Sequence, residues 1–408
     1  MLLIRQEYFG GIVFNTANGH KVYLDQDGVR GFIGYLHDNH RDKDCTAFCE
    51  AVCRNLDVRT NKVVYQIQNA LPRLADDGLP VLSSPILVDV QITNYCNLAC
   101  PHCYAGSSRA GKHVAYRDIV HVFNECVHAG VFEVALGGGE PTLHPDLRRI
   151  LRAAVARGLS VNLATNGKAM DVRLAKLLAT HCGAVAISVE DIDAGFTRRR
   201  GYSFDQFIRA ATLLQDAGVP VMFQLTISEY NVPRLEAIID RLIPLRPHGI
   251  VFLTYKRIGR GALFDWTLER TSRDQLIEIL MVCCNKLQKS GIAIAYDCCL
   301  GSLIAAMRIG SGPIQGCSAT IESVAVDKDL NVVPCSFGAT HVLGNLKNER
   351  LLDIWRGAQA GLFREKFTHR IGTSPCRSCQ YAASCRGGCP LFNLLPDCGD
   401  YSEKAVGT

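Results

Sequence analysis

Hydrophobic and polar positions along the chain change rhythm twice. Residues 3 to 24 set apolar clusters on either side of the turn "NTANGH", which predicts a hairpin whose second strand is "KVYLD". "GVRGFIGYLHD" and "CTAFCEAVCRNL" follow with apolar residues at helical spacing, and "KVVYQIQNAL" comes after them. A compact module of about 75 residues results, closed by "LPRLADDGLPVLSSP", whose prolines and small or acidic residues mark a linker.

From Ile86 the rhythm becomes strand, helix, strand: "ILVDVQIT", "FEVAL", "LSVNLAT", "AVAISV", "VPVMFQLTI" and "GIVFLTY" alternate with helices near 116–129, 146–157, 171–181, 204–217, 233–243 and 273–289. Strict alternation of this kind predicts parallel strands joined by right-handed crossovers, an α/β fold forming a barrel or partial barrel. Sites in such folds lie where strands end. "TNYC", "GGGEP", "TNG" and "SVED" stand at the ends of the first four strands. Beyond about residue 300 the alternation stops and a Cys- and Gly-rich tail begins, of the kind that metal holds together. The expected division is 1–75, a linker over 76–86, a barrel over 87–300 and a Cys-rich domain over 301–408.

Composition narrows the chemistry. The chain is 48% hydrophobic and 20% charged with a net charge of +5, an ordinary globular balance. Lys and Arg are scattered, and the tightest run, "TRRRG" at 197–201, reads as a solvated loop, so no nucleic-acid partner is expected. No run approaches the roughly 18 apolar residues of a membrane span, and "MLLIRQEYFGG" has charges where a signal peptide needs an apolar core. A cytoplasmic protein with no membrane partner is expected. Its 19 cysteines then point to metal rather than disulfides. Cys45, Cys49 and Cys53 share a helical stripe and read, like Cys126, Cys182, Cys283 and Cys284, as small packing residues. Neither a phosphate loop nor a Ser-His-Asp arrangement suggests another chemistry.

Cys96, Cys100 and Cys103 lie in "NYCNLACPHCY" with C-x3-C-x2-C spacing. A closed zinc site wants four ligands, and His102, directly beside a ligating Cys, is a poor fourth. Three thiolates instead fix three irons of a cubane cluster and leave one iron open to an exchangeable molecule. At these residues the chain resembles the radical S-adenosylmethionine (SAM) superfamily, which carries this triad on the loop after its first barrel strand. The resemblance implies a catalytic [4Fe-4S] cluster on Cys96, Cys100 and Cys103, with SAM on the open iron cleaved by one electron to methionine and a 5′-deoxyadenosyl radical that takes hydrogen from the substrate. It implies SAM contacts from Gly138, Gly139 and Glu140 of "GGGEP" near the ammonium group, and from Asn166 and Ser188 near the ribose or methionyl carboxylate. Glycine suits a backbone that a ligand must approach closely. His102 departs from the aromatic residue often found there. Arg257 or Arg260 of "YKRIGRGA" faces either an anion or solvent.

In the tail, Cys376, Cys379, Cys385, Cys389 and Cys398 follow Cys317 and Cys335 with C-x2-C-x5-C-x3-C-x8-C spacing. This resembles the SPASM extension of radical SAM enzymes, which holds one or two auxiliary [4Fe-4S] clusters. The resemblance implies an outer cluster on Cys376, Cys379, Cys385 and Cys398, and an inner one on Cys317, Cys335 and Cys389. The inner cluster's usual fourth ligand, a few residues upstream of Cys317, has no counterpart in "MRIGSGPIQGC". Either Cys298 or Cys299 reaches back, or the site is open to a substrate thiolate. Leu330 stands where the family has glycine. A zinc ribbon is the alternative for this tail.

The N-terminal module resembles PqqD-like peptide-recognition elements, winged-helix-like α+β domains that dock the leader of a ribosomally made precursor by strand addition. A generic cap on the barrel is the alternative. The whole reads as a partial (βα)6 radical SAM barrel between a small recognition domain and a SPASM domain. The expected function is precursor-peptide modification, by a thioether or carbon-carbon crosslink, epimerisation or backbone excision, with electrons from a flavodoxin- or ferredoxin-type donor. Its rivals are a related enzyme acting on a small molecule or tetrapyrrole side chain, and a non-catalytic metal-stabilised binding protein.

Overall fold

In the computed structural model, residues 1–38, 43–58, 65–68, 79–307 and 316–392 are described. The chain opens on β1 (Leu2–Glu7), β2 (Gly10–Asn15) and β3 (Lys21–Asp25), antiparallel in sequence order, where the hydrophobic pattern predicts one strand before the "NTANGH" turn. The extra reversal falls at Tyr8–Phe9 and needs Gly10, whose φ is 148° and whose absent Cβ would lie 2.2 Å from the Leu24 carbonyl oxygen. Helices Gln26–Asp38 and Lys43–Asn55 follow as expected. The run "KVVYQIQNAL" contributes β4 (Tyr65–Gln68), parallel to β1, so the sheet order is β3-β2-β1-β4.

Alternation along β1 and β2 gives this sheet two apolar faces. Leu2, Ile4 and Val13 pack on Phe32, Cys49, Val52 and Cys53 of the helices, which bears out the packing role of Cys49 and Cys53; the Cys45 side chain lies outside the described residues. On the other face Leu3, Ile12 and Phe14 pack on Leu82, Ile86 and Phe132, with the Phe14 and Phe132 rings stacked 5.1 Å apart. Arg5, fully buried at this seam, donates to the carbonyls of Ser84 (2.9 Å), Pro85 (3.1 Å) and Gly130 (2.9 Å) and to Glu7 (2.9 Å). Glu7 in turn accepts from the backbone and hydroxyl of Ser83, both at 3.0 Å. A charge this deep is tolerable only because every donor is met.

Phe132 and Ile86 stand immediately before two barrel strands, so the module is fixed to the amino ends of the barrel. Those strands are β5 (Leu87–Thr93), β6 (Glu133–Gly138), β7 (Ser160–Thr165), β8 (Ala184–Val189), β9 (Val221–Ile227) and β10 (Gly249–Thr254). All are parallel neighbours in sequence order. The sheet runs beyond these six. β11 (Ala293–Tyr296) pairs in parallel with β10, and β12 (Ser323–Val326), from the Cys-rich part, pairs in parallel with β5. β13 (Asn331–Val333) and β14 (Gly344–Asn345) continue antiparallel, giving ten strands in one open sheet among the described residues.

Every barrel strand buries alternate residues under the helices, such as Val88, Val90 and Ile92 of β5 and Phe223 and Leu225 of β9. The intervening residues face the lumen and stay half-buried: Asp89, Gln91, Ala135, Gly137, Ala164 and Gln224 are small or polar. A parallel sheet normally buries both faces, so this polar inner face marks space reserved for a ligand. One structural correction concerns "TRRRG". The helix Asp193–Arg200 runs through it, and Arg200 is buried rather than solvated. No described helix is long and apolar enough to cross a membrane.

Candidate active site

Three loops at the carboxyl ends of the strands meet over the lumen. The loop after β5 carries Cys96, Cys100 and Cys103, held by the Cys96 N–H on the Ser108 carbonyl (2.9 Å) and the Cys103 N–H on the Cys100 carbonyl (3.2 Å). Burial raises the Cys96 thiol above its ordinary value and pushes Cys100 up to about 11, and each is raised further by charge on the other thiols of the triad. Buried neighbouring thiols of this kind ionise when a metal supplies positive charge. His102, between the second and third cysteines, is turned away: its Nε2 lies 3.0 Å from Glu190 Oε1. Arg200 binds the same carboxylate, its Nε donating at 2.6 Å. Burial would raise the Glu190 carboxyl, but Arg200 and His102 hold it down at about 2. With His102 so engaged, the triad remains a three-thiol donor set, suited to a cubane with one open iron and unsuited to a closed four-ligand zinc site.

The second loop is "GGGEP" after β6. Gly138 has φ 114°, and a Cβ there would sit 2.1 Å from the Thr93 carbonyl oxygen; at Gly139 it would sit 2.1 Å from that of Tyr95. These two glycines let the loop press against the cysteine loop, through Gly139 N–H to Thr93 O (2.7 Å) and Glu140 N–H to Tyr95 O (2.8 Å). Gly137 differs, because a Cβ there would meet nothing within 4 Å. It borders a cavity of about 740 Å³, also lined by Gln91, Tyr104, Ala164, Gln224 and Phe337, that lies over the lumen. Of the residues expected at SAM, Gly138 lines this cavity and Gly139, Glu140, Asn166 and Ser188 do not; its volume suits a cofactor-sized ligand.

Glu140, expected at the ammonium of that ligand, is almost fully buried and already accepts four hydrogen bonds. Its Oε1 takes Thr142 N–H (3.1 Å), Thr142 Oγ1 (2.5 Å) and Thr165 Oγ1 (2.6 Å), and its Oε2 takes Asn166 N–H (2.7 Å). Burial raises its carboxyl even so. The side chain therefore ties the ends of β6 and β7 together. Asn166 continues the tie, its Nδ2 reaching Asn97 Oδ1 at 2.9 Å and Cys96 Sγ at 3.8 Å. Ser188 stands half-buried on the lumen side of β8.

The third loop, after β10, was legible only as a pair of arginines. Arg257 pairs with Asp265 at 3.6 Å and is half-exposed. Arg260 instead clamps the cysteine loop, donating from Nε to the Cys100 carbonyl (2.9 Å) and from Nη1 to that of Ser107 (2.7 Å). Arg257 thus faces a carboxylate of its own loop, and Arg260 faces carbonyls. Gly259, at φ 56°, brings the loop in close: a Cβ would lie 2.1 Å from the Tyr104 carbonyl oxygen.

The tail cysteines divide into two groups. Cys317, Cys335 and Cys389 come together beside Cys298 and Cys299, with the thiols of Cys298, Cys299 and Cys389 all within 4.8 Å of one another. Hydrogen bonds from Cys298 and Cys299, with further ones from the N–H groups of Leu391 and Phe392, pull the Cys389 thiol down. Cys376 and Cys379 share one 3-10 turn and Cys385 ends the short helix Ala382–Cys385; Cys398 lies outside the described residues. Leu330, in place of the family's glycine, adopts φ 68° and is buried. Among the described residues, none of these cysteines forms a disulfide.

A parallel partial barrel with three clustered thiols and a glycine-bordered cavity at the carboxyl ends of its strands is the scaffold of an iron-sulfur enzyme that holds a small-molecule cofactor beside its cluster. Residues 90–242 match the radical SAM superfamily, and residues 317–380 match the SPASM iron-sulfur cluster-binding domain. The chain thus carries a radical SAM domain and a SPASM domain, and is a radical SAM enzyme that uses SAM and [4Fe-4S] clusters. It is 29% identical over 367 residues to the mycofactocin maturase MftC of Mycobacterium ulcerans, covering 83% of this chain and 92% of that one. It is 25% identical over 324 residues to the Fe-coproporphyrin III synthase of Methanosarcina barkeri, covering 72% and 81%. Its fold matches that of Streptococcus suis SuiB bound to the precursor peptide SuiA with a TM-score of 0.70 at 20% identity, over 95% of this chain and 94% of that one.

Proposed function

We propose that the chain is a peptide maturase that binds a precursor peptide through residues 1–75 and modifies it at the mouth of the barrel. The observation that carries this reading is the N-terminal sheet, which pairs β3 on one side only, among the described residues, and is locked to the barrel through Arg5. An unpaired strand edge can accept an extended segment through backbone hydrogen bonds. Similarity to a maturase over most of both chains supports the same reading.

Cys96, Cys100 and Cys103 would hold the catalytic cluster, and Gly138, Gly139, Glu140, Asn166 and Ser188 would border SAM. Together, cluster and SAM supply on one-electron reduction a 5′-deoxyadenosyl radical able to take a hydrogen atom from an unactivated carbon. The chain's own contribution is placement and exclusion of water. Arg260 and the Glu140 N–H fix the cysteine loop to two strand ends, and Tyr104 packs on Phe337 of the SPASM domain, ring centres 4.8 Å apart, to cover the cavity. Asp89 sits on the lumen wall, accepts from Ser336 Oγ at 2.9 Å and offers substrate a polar contact, and burial raises its carboxyl. A ferredoxin- or flavodoxin-type donor would supply the electron.

The test is the intact mass of a short peptide encoded beside this gene, co-expressed anaerobically in deuterated water with wild type or Cys96→Ala. A change with wild type alone is expected: two hydrogens lost for a crosslink, a larger loss for excision, deuterium gained for epimerisation. An untouched peptide alongside continued 5′-deoxyadenosine formation would overturn the reading. It would favour a small-molecule substrate, the direction in which similarity to a coproporphyrin-processing enzyme points.

A further inference from the structure

We infer that Cys298 closes the inner auxiliary site as its fourth protein ligand, so that this site has four thiolates from the chain and no position for a substrate thiol. The inference rests on the SPASM reading and goes beyond it, since Cys298 lies outside the residues that match that domain. Four segments converge here: the turn after β11 with Cys298 and Cys299, the segment before β12 with Cys317, the turn after β13 with Cys335, and the last described loop with Cys389. Cys298 is the hub of the group. Its thiol reaches Cys317 as well as Cys389, whereas Cys299 reaches Cys298 and Cys389. Cys335 faces Cys317 and Cys389 from the far side.

The turn that presents Cys298 is built in place. Asp297 caps it by accepting the Cys299 N–H at 3.1 Å. The other oxygen of Asp297 is held by Thr254 N–H (2.8 Å), Thr254 Oγ1 (2.8 Å) and Lys256 Nζ (2.6 Å), so the end of β10 fixes the position of the cysteine pair. Lys256 is itself buried, and its ammonium lies 4.3 Å from the centre of the Phe337 ring. A buried cation this close to Cys298 and Cys299 offsets the negative charge that a four-thiolate site gathers. Cys299, buried on the Lys256 side, is a neighbour of the site and not a ligand. Sequence spacing could not separate the two, because they are adjacent and their partners lie 18 or more residues away.

The test uses full-length protein, reconstituted anaerobically, in a background of Cys96→Ala, Cys100→Ala and Cys103→Ala that removes the catalytic cluster and leaves only auxiliary signals. Iron per chain and the EPR spectra of oxidised and reduced protein are read. Cys298→Ala is expected to lose up to roughly four irons, or one iron with a three-iron signal appearing on oxidation, and Cys299→Ala to match the background. Cys298→Ser, which keeps an oxygen ligand, is expected to retain its iron with an altered reduced spectrum, and it decides the matter if the alanine variant fails to fold. The assignment is overturned if Cys298→Ser keeps the parent spectrum, if Cys299→Ala produces the loss, or if both alanine variants lose iron equally. A background protein that holds no auxiliary iron would instead refute the iron-sulfur reading of the tail.

Discussion

At the scale of single residues, adjacent glycines in "GGGEP" do opposite work. Gly138 is glycine for the protein's own sake: its φ of 114° and the 2.1 Å approach to Thr93 O leave no room for a side chain. Gly138→Ala should therefore cost roughly 2–5 kcal/mol of stability, from backbone strain and overpacking together. Gly137 has open space where its Cβ would go. Gly137→Ala should leave the melting temperature nearly unchanged while weakening SAM binding about tenfold, or ~1.4 kcal/mol, because the methyl enters the space the ligand needs. Calorimetry on both variants with and without SAM separates the two effects; an alanine at 137 that melts low yet binds normally would show that the cavity is not the SAM site. Leu330 poses a related question with a different answer. Its left-handed φ costs roughly 1–2 kcal/mol relative to glycine, but its side chain joins the main core, and burying a leucine returns about 1.5–3 kcal/mol. Burial outweighs strain, which explains how the position tolerates leucine where the SPASM resemblance implies glycine.

At the scale of elements, the loop after β10 acts as a clamp on the cysteine loop. Arg260 spans two carbonyls of that loop while its own N–H bonds to Cys103 O at 3.0 Å. Arg260→Ala removes two hydrogen bonds from a charged donor, each worth about 1.5–3 kcal/mol, and should speed iron release to a chelator about tenfold without altering the far-ultraviolet circular dichroism. Arg260→Lys should fall between, since an ammonium cannot fork across two carbonyls as a guanidinium does; rates equal to wild type in both variants would remove the clamp from the account. This element also marks how far sequence reading carries. The barrel was legible because each parallel strand is an apolar run bounded by a helix, and the triad because its spacing is local. Contacts across about 150 residues leave no local trace, so Arg260 looked like a surface or anion-binding residue, whereas Arg200 looked like part of a solvated run because nothing local shows that Glu190, ten residues away, is buried with it. β4 was ambiguous for another reason: four residues, half-exposed on a sheet edge, carry too few apolar positions to show a period. The vicinal pair Cys298–Cys299 was visible as a candidate, but choosing between the two thiols required seeing which one faces Cys317.

At the scale of the whole molecule, the N-terminal sheet and the cysteine triad sit at opposite ends of the barrel. The N-terminal sheet rests on Leu82, Ile86 and Phe132 at the amino ends of the strands, while the cysteine triad lies past their carboxyl ends, above a cavity that reaches into the lumen. A precursor held on the sheet must run the height of the barrel before its modified residue meets the site. β5 has seven residues, which at about 3.3 Å each gives a height of roughly 23 Å. An extended chain covers at most about 3.6 Å per residue, so the spacer between the docked segment and the modified residue must have at least about seven residues. Precursors with shorter spacers should bind with unchanged affinity, by fluorescence anisotropy, and yet escape modification, by mass; longer flexible spacers should lose rate only gradually, as effective concentration falls. Arg5→Ala attacks the same geometry from the protein side, because it strands Glu7 in the seam and should cost roughly 3–5 kcal/mol of docking. The variant is expected to bind the precursor normally but to modify it slowly and with a relaxed spacer limit, since a loosened module can approach the site from more positions. If a two-residue spacer were modified by the wild type as fast as a ten-residue one, the substrate would have to reach the lumen without being held at the N-terminal sheet, and that sheet would be a cap rather than a docking surface.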